Sequence, residues 1–232
     1  MPIENLIVAR TVSPNRNSPR NHGVDTFTPH CAVGQVSAGW FCDFFSKPST
    51  GASCNWGIGS DGMLAQVVPE GDRSWCTSST ANDNRAITVE CASDAFEPYA
   101  VNGKVWATLV GLAADVCRRH GKTKMVWLGD KEKSLAYEPK PGEMLITVHR
   151  WFANKSCPGD YIYNRLGLLA EEVNKVITGK GEEAMTKEEA RKLFEEMYRE
   201  ENPTYNTLED VPGYWRGDIQ ALVEGGIVQA WA

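Results

Sequence analysis

His149 and Cys157 stand eight residues apart at the end of a short apolar run, Leu145-Ile146-Thr147-Val148, that reads as a strand, with Lys155 two positions before the thiol. Imidazole nitrogen and cysteine thiolate are ligand types that suit zinc, and a catalytic zinc site takes three protein ligands and keeps a fourth position open for water. One stretch thus supplies two ligands, and the fold has to carry a third to the end of this strand. Three other histidines exist, His22, His30 and His120. His30 is the best placed, because it stands in Val24–Gly34 (VDTFTPHCAVG), an alternating segment that reads as a strand leading into a loop. His22 sits among Asn, Pro and Arg, and His120 closes Arg118-Arg119-His120-Gly121, where a cation beside a helix C-terminus is the ordinary explanation.

The remaining patterns describe an α/β domain up to about residue 178. Ser37–Phe45 is a short aromatic-rich helix candidate. Cys54–Gly59 and Met63–Val68 alternate on either side of Ser60-Asp61-Gly62, a hairpin-type turn. Ala86–Cys91 (AITVEC) is a β-branched run preceded by the turn-rich Ser78–Asn84. From Gly103 to His120 the apolar residues Val105, Leu109, Leu112, Val116 and Cys117 recur at helical spacing, so that one face packs on a sheet. Lys124–Leu128 and Leu145–His149 are read as strands and Tyr161–Ile177 as a helix. Gly179-Lys180-Gly181 marks a boundary, after which the chain becomes charge-rich, with a capping-box pattern at Thr186-Lys187-Glu188-Glu189 before a helix to about Glu201. Residues 1–178 are therefore expected to form one domain and 179–232 a small helical appendage.

Composition excludes several classes. A net charge of −6 without a basic stripe argues against tracking nucleic acid by general electrostatics. The N-terminal apolar run is too short for a signal peptide or a membrane span, so the chain is expected to be made in the cytoplasm, with no membrane partner. Seven cysteines, an odd number at scattered spacing, read as small buried thiols rather than a disulfide framework.

The ordered set TPHC at His30, NWGIGSDG at Asn55–Gly62, RSWC at Arg73–Cys76, AITVEC around Glu90 and TVHRWFANKSCPGD resembles the zinc-dependent N-acetylmuramoyl-L-alanine amidases, the family of amidase-type phage lysozymes, bacterial recycling amidases and peptidoglycan recognition proteins. The resemblance covers roughly residues 20–178. It implies a central mixed sheet flanked by helices, a zinc ion held by His30, His149 and Cys157, and hydrolysis of the bond between N-acetylmuramic acid and L-alanine in peptidoglycan. Glu90 falls where some members place an acidic residue beside the zinc-bound water, and it is assigned the proton transfer to the leaving amine. Lys155 matches the family's lysine before the last ligand and is assigned to stabilise the charge that builds on the carbonyl oxygen. Pairing of Glu90 with Arg73 or Arg85 is the competing reading.

Asn55, Trp56, Trp75 and Trp151 are candidates to line a glycopeptide groove, with core packing the alternative for each tryptophan. Asn55 and Cys76 stand where related enzymes often carry histidine. Thr207–Val228 resembles half of a surface-layer homology repeat, which binds secondary wall polymers; one copy would need self-association into a homo-oligomer for valency. Cysteine rather than aspartate as third ligand favours a phage or prophage endolysin acting on the wall after release. The alternatives are a cytoplasmic muropeptide-recycling amidase and a non-catalytic recognition module.

Overall fold

The computed structural model describes residues 2–179; the expected appendage from residue 180 onward, with its capping box and its wall-module-like segment, lies outside them. The elements are β1 (Ile7–Arg10), β2 (Arg16–Asn17), β3 (Thr26–Cys31), α1 (Ala38–Phe45), β4 (Trp56–Ile58), β5 (Leu64–Gln66), β6 (Arg73–Ser74), α2 (Thr80–Arg85), β7 (Ala86–Cys91), α3 (Gly103–Arg119), β8 (Lys124–Val126), α4 (Lys131–Leu135), β9 (Glu143–Ile146), α5 (Gly159–Tyr163) and α6 (Leu166–Ile177).

Seven strands form one sheet in the order β1-β5-β4-β7-β3-β9-β8, and β2 pairs with β6 in a separate ribbon. The sheet is mixed, as expected: β4 and β5 are the antiparallel hairpin across Ser60-Asp61-Gly62, and the other pairings are parallel. Its centre is the pair β3–β7, each strand rich in β-branched residues.

The two faces of this centre differ in chemistry because strand side chains alternate. Phe27, Ile87, Val89, Ile146 and Val148 enter the main core, where α3 contributes Val105, Leu109, Leu112 and Val116 and α6 contributes Leu166, Leu169 and Val173. Each such side chain contributes roughly 1.5–3 kcal/mol on burial. Thr28, Thr88 and His30 project to the other face, where α2 lies across them: Asn82 Nδ2 donates to Thr28 Oγ1 at 3.2 Å, and Thr147 Oγ1 donates to Asn82 Oδ1 at 2.8 Å. A second apolar cluster joins Phe41, Cys42 and Phe45 of α1 to Ala65, Val67 and Val68. There Gly57 is required, since a Cβ on it would come within 2.4 Å of the Phe41 ring.

Several expected elements shift. The helix expected over Tyr161–Ile177 is two helices, α5 and α6, interrupted at Asn164-Arg165, and Asn is a weak helix former. The turn-rich Ser78–Asn84 contains α2, capped by Ser79 Oγ accepting from Asn82 N–H. The N-terminal apolar run supplies β1 at the sheet edge. Among the described residues no helix is long and apolar enough to cross a membrane.

Candidate active site

His30 and Glu90 face each other in register near the ends of β3 and β7. β9 runs beside β3, and four residues beyond Leu145, its partner of Thr26, the chain turns at His149 into the short 3-10 turn His149–Trp151. The loop after this turn is folded back on itself: Arg150 N–H donates to Cys157 O at 3.0 Å, and the Arg150 guanidinium bonds Ser156 O through Nε at 3.1 Å and Asp160 through Nη1 at 2.9 Å. That clamp returns Cys157 to the sheet.

Cys157 Sγ thereby lies 3.2 Å from His30 Nδ1, across 127 residues of sequence, and the His30 and His149 rings are 5.2 Å apart. One ligand atom from each of His30, His149 and Cys157 lies within 4.8 Å of the others; the overlapping set His30, Cys76 and Glu90 meets the same limit. His120 and His22 are elsewhere. His120 caps α3 with Nε2 2.9 Å from Glu70, and His22 is exposed.

Burial, then the neighbouring His149, lowers the His30 pKa to about 3, so its imidazole is neutral. Burial, then the charge of Lys155, lowers that of His149 as well. Burial, with a smaller push from Cys31, raises Glu90 to about 8. A hydrogen bond with Cys31, burial and the nearness of Glu90 hold the Cys157 thiol protonated well above the ordinary range. His30 Nε2 and Glu90 Oε2 are buried without a hydrogen-bond partner among the described residues. Two neutral imidazoles, a thiol and an unpaired carboxyl form a set that a soft divalent cation completes, displacing the thiol proton as it binds. The residues fit zinc.

The match to the family model "Amidase_2: N-acetylmuramoyl-L-alanine amidase" spans residues 2–160, well over half of the chain. The chain belongs to the N-acetylmuramoyl-L-alanine amidase family. The amidase also shares its fold with solved structures: PlyL (14% identity, TM-score 0.52, covering 72% of this chain and 96% of that one), the catalytic domain of XlyA (15%, 0.50, 71% and 97%) and a mutant endolysin from Bacillus subtilis (15%, 0.50, 71% and 97%). No curated protein matches it.

The amidase brings His30, His149, Cys157 and Glu90 together. Neither Arg73 nor Arg85 pairs with Glu90: Arg85 is held by Asp25 at 2.8 Å and Glu138 at 3.2 Å, and Arg73 by Asn17. Glu90 has instead Cys76 Sγ at 3.9 Å and His30 Nδ1 at 3.9 Å. Lys155 is exposed on the loop before Cys157.

Three of the four groove candidates lie in the interior. Asn55 is fully buried, its amide donating to Val68 O and Pro69 O while its oxygen accepts from Thr88 N–H, so it ties the hairpin to β7. Trp56 is buried in the core and donates to Glu70 at 2.7 Å. Trp151 is buried and stacks on Trp127 at 5.3 Å. Only Trp75 presents itself to solvent, with Nε1 donating to Asn17 at 2.7 Å.

Sequence reasoning passed over two groups. Ser78 Oγ lies 3.2 Å from His149 Nε2, and Ser78 has a left-handed backbone (φ 62°), a strained state for a residue with a side chain. Asp83 holds that loop, accepting from Cys76 N–H at 3.0 Å and Thr77 Oγ1 at 2.6 Å. Their signal was present as a Ser-Ser-Thr cap followed by Asn and Asp, and it was read as a turn.

Proposed function

We propose that this amidase is zinc-dependent and works as a phage or prophage endolysin, cutting the bond between N-acetylmuramic acid and L-alanine in peptidoglycan. The carrying observation is the convergence of His30, His149 and Cys157 ligand atoms within 4.8 Å, with Glu90 beside them. Zinc held by these three residues would polarise the scissile carbonyl and lower the pKa of a bound water to near 7.

Burial raises Glu90 to about 8, and a cation held beside it would favour its ionised form; as a carboxylate it takes the proton of the attacking water and returns it to the leaving amide nitrogen. Lys155, on the loop that carries Cys157, offers its ammonium to the carbonyl oxygen as negative charge develops there. Ser78 orients the His149 ring through its hydroxyl. The endolysin role draws on the cysteine ligand and on the fold shared with the Bacillus subtilis endolysin.

The test is metal content measured beside the release of free L-alanine amino termini from purified bacterial sacculi. About one zinc per chain, with release that stops on chelation and returns with zinc, is expected; release that persists in metal-free protein would refute the zinc reading. Residues 179–232 are proposed to bind the wall or self-associate, supported by the likeness of Thr207–Val228 to half of a surface-layer homology repeat. Deleting residues 180–232 should lower turnover on intact cells, and unchanged turnover there would remove the targeting role.

A further inference from the structure

The loop between β6 and α2 carries Cys76, Thr77 and Ser78, and it touches the site at two points. Cys76 Sγ lies 3.9 Å from Glu90 Oε1, and Ser78 Oγ lies 3.2 Å from His149 Nε2. Between them Thr77 is fully buried. One carboxylate grips this loop, that of Asp83 on α2, itself only 2% exposed.

Its two oxygens accept from three donors. Cys76 N–H reaches Oδ2 at 3.0 Å, Thr77 N–H reaches both oxygens at 3.2 Å, and Thr77 Oγ1 donates to Oδ1 at 2.6 Å. The last distance is that of a charge-assisted bond. The charge of Asp83 is spent on the loop, where an acceptor-only group meets nothing but donors.

Ser78 needs such a brace. Its backbone is left-handed (φ 62°), a conformation that is costly for a residue with a side chain, and it is exposed to solvent. Its neighbours fix it: Thr77 is gripped by Asp83, and Ser79 N–H donates to Thr77 Oγ1 at 3.3 Å. The hydroxyl that meets His149 is therefore placed from behind, by a carboxylate on α2.

An imidazole nitrogen that ligates a metal needs its lone pair free, and the bond made by the other nitrogen selects which one that is. A serine hydroxyl accepts as readily as it donates. By accepting from Nε2–H, Ser78 leaves the Nδ1 lone pair of His149 for the cation.

Resting on the zinc reading above, we propose that Asp83 is a positioning residue of the amidase: by holding Thr77 it fixes Ser78, and Ser78 fixes the ring and the tautomer of His149. Zinc affinity is thus set in part from α2, by a side chain that is no ligand.

The experiment is a double-mutant cycle of Asp83→Asn and Ser78→Ala with two readouts: zinc affinity by competition with a chromophoric chelator, and the imidazole nitrogen NMR shifts of His149 in isotope-labelled, metal-free protein. Each single variant should weaken zinc binding by about 10–100-fold, the usual cost of losing a group that orients a ligand. The double variant should bind as Ser78→Ala does, within about twofold, because both changes cut one chain of contacts. His149 should hold a single Nε2–H tautomer in the unmodified protein and a mixture in all three variants. Ser78→Ala, at an exposed position, should keep its Tm, so that lost affinity does not follow lost stability. Unchanged zinc affinity in Asp83→Asn, or losses that multiply in the double variant, overturns the positioning role, since independent effects add in free energy. If Asp83→Asn fails to fold, Thr77→Val takes its place in the cycle, keeping the shape and removing the 2.6 Å bond. Tautomer mixing in the variants of a protein that binds no zinc would sustain the positioning role and defeat the zinc reading; a fixed tautomer throughout, with no zinc bound, defeats both.

Discussion

His30 Nδ1 and Glu90 Oε1 lie 3.9 Å apart on residues paired in register across β3 and β7. Their relative position is set by a hydrogen-bonded parallel ladder at the centre of the sheet. In the proposed role, Glu90 fixed in this way beside His30 needs no loop movement to reach the water it would deprotonate, which is the geometry general base catalysis rewards.

Glu90→Gln keeps the shape and removes the base. It should bind zinc as the unmodified enzyme does and lose about 10²–10⁴-fold in kcat with little change in KM. A metal-loaded variant within a few-fold of full turnover would remove Glu90 from the chemistry.

Cys157→Ala removes one of the three proposed zinc ligands. Zinc content should fall from about one per chain towards zero, and activity should drop by more than about 100-fold, beyond the usual cost of losing a partner that only supports a ligand. Full metal content with full activity would mean the site is misassigned.

Lys155→Ala should leave zinc content intact and lower kcat by about tenfold to a hundredfold, less than a buried oxyanion donor because the ammonium is exposed. An unchanged kcat would mark it as a solvated loop lysine.

Glu70 sets an acid limit on stability away from the site. Burial alone would raise its pKa, but hydrogen bonds from His120, Arg119 and Trp56 more than reverse this and hold it at about 2, against an ordinary 4.5. A depressed carboxylate stabilises the fold above its unfolded pKa, so the contribution is complete above about pH 4.5 and is lost as pH falls through about 2. The difference is on the order of 3 kcal/mol. Urea midpoints of Glu70→Gln and the unmodified protein should differ at pH 7 and converge as pH falls below about 2; a constant gap would contradict the linkage.

Gly57→Ala would force a methyl group into the Phe41 ring and should cost about 1–3 kcal/mol, read as a lower urea midpoint with an unchanged slope.

Much of this architecture was legible because apolar periodicity and burial coincide. The β-branched runs around His30 and Glu90 became β3 and β7, the 3.6-residue pattern from Gly103 became α3, and Ser60-Asp61-Gly62 closed the expected hairpin. What misled was buried polarity. Asn82, Asp83 and Asn84 have the composition of a turn, yet all are buried in α2, because Thr28 and Thr147 (for Asn82), the backbone of Cys76 and Thr77 (for Asp83) and the Asn21 N–H and Thr80 carbonyl (for Asn84) supply the hydrogen bonds that solvent would otherwise give. Tryptophan identity was equally uninformative: Trp56 and Trp151 satisfy or bury their indoles inside the protein, and sequence carries no mark separating them from Trp75.

The alternation along β3 also acts as a form of proofreading. Phe27 and His30 belong to opposite faces of one six-residue strand, so a slip of one position would turn the imidazole into the apolar core and push the phenyl ring into the polar layer beneath α2. A misaligned strand cannot keep its stability while losing its chemistry. Every copy that is stably folded is therefore one in which His30 has reached Cys157, and an amidase built this way has its site assembled by the same event that makes it persist.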